Sequence, residues 1–189
     1  NFKYFIREAE FATNSTDGNL LLKNEISHIN SDIYIQVLCT SPFTEINSII
    51  KCIELLKDCT NNVNSVIGCL KEKMYLWTNE KPQYDINNIP NSNDLSDTII
   101  ETMSIYGITK KEFDICNTRI GKDPYLLELT NEEGIDINYE KDFQFANKIA
   151  KLKVIEEHYF YNNLKIKLNS CIICDILNEL KYENCILPG

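Results

Sequence analysis

Apolar residues recur at steps of three and four over most of this chain. Leu22, Ile26, Ile29, Ile33 and Val37 step by four, three, four and four, the stripe of one helix face. Asp17-Gly18 supplies a start, and the spacing predicts a helix ending near Cys39. Ser41 can cap the next helix, with Pro42 at the first position, where its missing N–H costs nothing. Phe43, Ile46, Ile49, Ile50, Ile53 and Leu56 form that face. Beyond the Thr60-Asn61-Asn62 break, Val63, Val66, Ile67, Leu70, Met74 and Trp77 form another. The two segments read as an αα-hairpin.

Residues 79–92 are the clearest linker, because Pro82, Asn87-Asn88, Pro90 and Asn91 do not sustain a helix. The chain reads as one helical domain over 1–189, with 79–92 as a candidate subdomain boundary. Leu95, Ile99, Met103 and Tyr106 predict a further helix closed by Gly107. Thr109 with Glu112 forms a capping box for a short helix carrying Cys116. From about Tyr139 a long C-terminal helical region begins, with Phe145, Ile149, Leu152, Ile155 and Tyr159 as its stripe. Leu164–Leu168 alternates and competes as a strand, but no second strand offers itself as a partner. The fold class expected is all-α, a multi-helix bundle.

The cysteines change the picture. Cys39, Cys52, Cys59, Cys69, Cys116, Cys171, Cys174 and Cys185 make an even set of eight. Such usage predicts an oxidising compartment, and hence a secreted, disulfide-stapled protein. In a hairpin turning at Asn61, Cys52 and Cys69 stand at matching heights and form the best single pair. Cys171-Ile172-Ile173-Cys174 has metal or redox spacing, but two isoleucines between the thiols suit a buried structural place better. The Asn14-Ser15-Thr16 sequon offers Asn14 for glycosylation. An opening at Asn1 rather than Met fits a removed signal peptide.

Net charge is −9, which disfavours phosphate backbones and anionic lipid, so neither nucleic acid nor membrane is the expected partner. No apolar run reaches the ~20 residues of a membrane helix. No glycine-rich phosphate loop, GxSxG or HExxH is present. Asp136, Asn138 and Glu140 have the spacing of a calcium loop. Lys141 and Asn147 stand where that loop needs Gly and Glu, so the stretch reads as an acidic helix N-terminus. No cofactor, metal or catalytic residue is therefore expected.

The chain resembles the bicycle family of secreted effectors from gall-forming aphids. The likeness rests on its asparagine-rich composition, on Cys174, Tyr182 and Cys185, and more loosely on Cys69, Tyr75 and Cys116. It implies secretion into a host and no known enzyme activity. The expected role is a non-enzymatic effector binding a host protein or other macromolecule, with Trp77, Phe160 and Tyr161 as contact anchors. The alternative is an extracellular carrier of a small apolar ligand, lined by Met103, Phe143, Phe145 and Tyr159. A hydrolase assembled around His28 or His158 is a further rival.

Overall fold

The computed structural model describes residues 5–13, 15–58 and 60–161. In chain order come α1 (Gly18–His28), β1 (Ile33–Val37), α2 (Ile46–Lys57), β2 (Ser65–Glu72), β3 (Trp77–Thr78) and β4 (Lys81–Pro82). Then follow β5 (Thr98–Thr109), α3 (Lys110–Cys116), β6 (Tyr125–Glu128) and α4 (Glu140–Tyr161). Residues 1–146 and 147–189 are two compact units. The sheet belongs to the first. The described part of the second is the helical stretch of α4 from Asn147 to Tyr161.

The fold is mixed α/β, which corrects the all-α expectation. Four strands lie in the order β1-β5-β2-β6. β5 runs antiparallel to both of its neighbours, and β6 runs parallel to β2. β1, β2 and β6 therefore point the same way, and the segments that follow them emerge along one edge of the sheet. β3 and β4 form a separate hairpin, of which the turn and β4 fall in the stretch read as a linker. Asn79 and Glu80 turn it with φ of 51° and 62°.

Burial on both faces explains the strands that imitate helices. Val66, Ile67, Gly68 and Cys69 of β2 are all buried, as are Ile105, Tyr106, Gly107 and Ile108 of β5. A strand covered twice loses its apolar–polar alternation. On one face α2 lays Cys52, Leu55 and Leu56 against Val66, Ile105, Leu127 and Leu129. Gly107 does not stop a helix. It lies in β5 and leaves room for α2, since a Cβ there would sit 2.5 Å from Cys52 Sγ and 2.8 Å from Leu56 Cδ1. On the other face Leu22 and Ile26 of α1 pack with Tyr34, Ile108 and Phe113.

Local signals held where they were chemical. Asp17 caps α1, its Oδ1 accepting from the Asn19 and Leu20 N–H groups at 2.9 Å each. Thr109 caps α3 by accepting the Glu112 N–H at 3.2 Å. The reciprocal half of the expected box does not form, because the Thr109 N–H donates to the Asn64 carbonyl at 2.9 Å and Glu112 Oε1 accepts the Lys122 N–H. The first predicted helix is too long, because β-branched Ile33, Ile35 and Val37 belong to β1. The Ser41-Pro42 start also fails: α2 begins at Ile46.

The disulfide framework is corrected as well. Cys39, Cys52, Cys69 and Cys116 are free thiols, so Cys52 and Cys69 do not pair. Their proposed pairing needed two antiparallel helices, and Cys69 lies on a strand. Burial pushes the Cys52 thiol up to about 12 and raises that of Cys69. Both behave as small apolar side chains. Cys59, Cys171, Cys174, Cys185 and Asn14 fall outside the described residues, as does the Leu164–Leu168 stretch.

Candidate functional site

Segments leaving the carboxyl ends of β1 and β6 meet at one edge of the sheet. Open α/β sheets hold their ligands at that edge. The turn after β1 contains Thr40 and Ser41, and the loop after β6 runs from Leu129 to Asn138. The Ile137 N–H donates to the Thr40 carbonyl at 2.9 Å. Glu133, 2% exposed, accepts the Glu45 N–H at the start of α2 at 3.0 Å. It also accepts the Thr130 N–H and Oγ1, both at 3.1 Å. Burial alone would raise the Glu133 carboxyl. Hydrogen bonds from Ser48, Glu45 and Thr130 outweigh it and hold the group below the ordinary range. Glu133 thus clamps the two segments together.

Asp136 lies in that clamped loop. Its Oδ2 accepts from Asn138 Nδ2 at 2.7 Å, while its Oδ1 is buried without a partner. Among the described residues the other buried, unpartnered side-chain atoms are Gln36 Oε1, Ser41 Oγ and Ser65 Oγ. None belongs to the apolar cluster under α2. Buried oxygens without partners carry an unmet demand for a donor or a cation.

Tyr106 of β5 pairs with Gln36 of β1, and its hydroxyl donates to Glu101 Oε1 at 2.5 Å. Burial raises its pKa well above the ordinary tyrosine range. The Glu101 hydrogen bond and the Glu101 and Asp136 charges add to this, and Arg119 opposes it. The Arg119 Cζ stands 3.8 Å from the Tyr106 ring centroid, and its Nη2 lies 3.6 Å from Met103 Sδ. A bulge lets Tyr106 and Glu101 of β5 oppose Ile67 and Cys69 of β2, which brings Glu101 back towards the Tyr106 hydroxyl.

The residues singled out from the sequence are elsewhere or alone. Trp77 stands on the β3–β4 hairpin, 61% exposed. Phe160 and Tyr161 end α4. Phe143 and Phe145 are exposed, and Met103 is a strand residue beside Arg119, so these three do not line a common cavity. Tyr159 and His158 fall on α4. His28 ends α1, its Nδ1 2.8 Å from the Asn24 carbonyl. The sequence reading passed over Asp136, Tyr106, Arg119, Gln36 and Glu133 as a site. Two signals were visible: the Asp136-x-Asn138 spacing, and Arg119 as one of two arginines in a lysine-rich chain.

No family model and no curated protein matches the chain. Among solved structures it is similar to 4-diphosphocytidyl-2C-methyl-D-erythritol synthase from Anaerococcus prevotii. The TM-score is 0.51 at 15% identity, over 72% of this chain and 68% of that one. The likeness is one of fold. With the free thiols among the described residues it overturns the reading of a non-enzymatic, disulfide-rich helical effector, which rested on the even cysteine count, and that of a helical carrier, which needed a bundle. The fold is one that an enzyme carries.

Proposed function

We propose that the chain is the sheet-bearing part of a nucleotidyl-transfer enzyme that takes a cytidine nucleotide at the carboxyl edge. The fold shared with a diphosphocytidyl-forming synthase supports the class of reaction. The observation that carries the site is the buried, unpartnered Asp136 Oδ1. Among the described residues no three His, Cys, Asp or Glu side chains cluster into a full metal cage. A lone carboxylate oxygen fits Mg²⁺, which keeps several waters and takes its remaining ligands from substrate phosphates. That ion would neutralise charge on the phosphates during transfer.

In the reaction an acceptor oxygen attacks the α-phosphorus of cytidine triphosphate. A new P–O bond forms, the α–β bridging bond breaks, and pyrophosphate leaves with the electron pair. Asp136 would hold the cation, which would supply charge neutralisation at the phosphates. Glu133 and the Ile137–Thr40 hydrogen bond keep Asp136 at the edge. Titration calorimetry with cytidine triphosphate, with and without Mg²⁺, tests this reading. Binding should require Mg²⁺ and favour cytidine over adenosine, and Asp136→Asn should weaken it by at least about tenfold, the worth of one charge-assisted contact. Metal-independent binding, or Asp136→Asn binding like the wild type, would overturn it.

A further inference from the structure

Arg119 has an arrangement that the structure itself does not use. The chain carries 28 acidic and 19 basic residues, so an arginine finds an acid easily. Yet among the described residues no carboxylate lies within ion-pair distance of its guanidinium. Of the acids around it, Glu101 is taken by the Tyr106 hydroxyl, Asp17 by the first N–H groups of α1, and one oxygen of Asp136 by Asn138.

The group is nevertheless held in place. Tyr106 lies under its face at 3.8 Å. The Arg119 N–H donates to Asn19 Oδ1 at 2.8 Å, which fixes the backbone that carries it. Gly18 leaves the space it fills: a Cβ there would lie 2.6 Å from Cζ, and closer still to Nη1. α1 returns antiparallel to β1, as the Gln36–Glu25 and Tyr34–Ile29 hydrogen bonds show. Its first turn, at Gly18, therefore lies towards the carboxyl edge. The Arg119 Nη2 lies 3.6 Å from Met103 Sδ, a weak acceptor, and the stacked guanidinium still presents in-plane N–H donors that match two oxygens of a phosphate or carboxylate.

We propose that Arg119 is an oxyanion receptor that takes a phosphate or carboxylate group of a substrate at this edge. Tyr106 and Gly18 hold it there without neutralising it. The inference does not depend on a cation at Asp136, so its test is made in EDTA. The full chain is titrated calorimetrically with inorganic pyrophosphate and, separately, with succinate, at constant ionic strength. Wild-type protein should bind at least one of them. Arg119→Lys keeps the charge but loses the fork, and should weaken that binding by about tenfold or more. Arg119→Gln should abolish it, and thermal melts should show both variants folded. Binding of pyrophosphate alone assigns the site to a phosphate, and of succinate alone to a carboxylate. No binding by wild type, or equal binding by a folded Arg119→Lys and Arg119→Gln, overturns the proposal.

Discussion

The two faces of the sheet are built from different chemistry. Under α2 the cluster is wholly apolar: Cys52, Leu55, Leu56, Val66, Ile105, Leu127 and Leu129. Under α1 an apolar patch of Leu22, Tyr34, Ile108 and Phe113 gives way to Gln36, Tyr106 and Arg119. The first face satisfies itself. The second, with the edge beside it, keeps buried oxygens without partners and a guanidinium without a carboxylate among the described residues. Unmet polar groups of this kind cost free energy in the empty protein. They are the places where a ligand has most to offer.

Three experiments sharpen that contrast. The largest effect is in thiol reactivity. In native protein at pH 8, exposed Cys39 should alkylate before Cys52. Cys52, buried and raised to about 12, should lag by on the order of a thousandfold. Mass-spectrometric labelling reads this directly, and comparable rates would mean that the α2 face is open. Next comes Leu56→Ala, which leaves a cavity beside Gly107 and Cys52 and should cost about 2–5 kcal/mol in urea unfolding. Nucleotide affinity of the folded variant should not change, whereas Asp136→Asn should show the opposite pattern. The smallest is a pH effect. Glu133 is held below its ordinary value of 4.5 in the fold, so its charged form favours the folded state. That contribution is complete above pH 4.5 and fades as pH falls through the lower folded value. Urea midpoints at pH 6 and pH 3.5 should differ less in Glu133→Gln than in wild type, and an equal drop in both would remove Glu133 from the account.

Legibility in the sequence followed the range of the interaction. Caps are local, and Asp17 and Thr109 were found. Strand β5 was not, because Leu95, Ile99, Met103 and Tyr106 fall at helical steps by coincidence, and both faces of its second half are covered. The signal left in it was β-branching at Thr98, Ile99, Ile100, Thr102, Ile105 and Ile108. The even cysteine count misled, because parity says nothing about burial. Asp136 was noticed for its spacing to Asn138, but its meaning comes from lying after β6 and against the turn after β1. Those segments are about ninety residues apart in the chain, and only the sheet order joins them.

The strand order also dictates when the sheet can assemble. β5 sits between β1 and β2 yet follows both in the chain, and Ile33 waits for Thr109 as its partner. During synthesis the first two strands leave the ribosome with no ladder to join. Closure must span long separations, which slows folding and leaves apolar side chains and unpaired strand edges unprotected for that interval. A chain released before Thr109 would have two halves of a sheet and nothing to zip them.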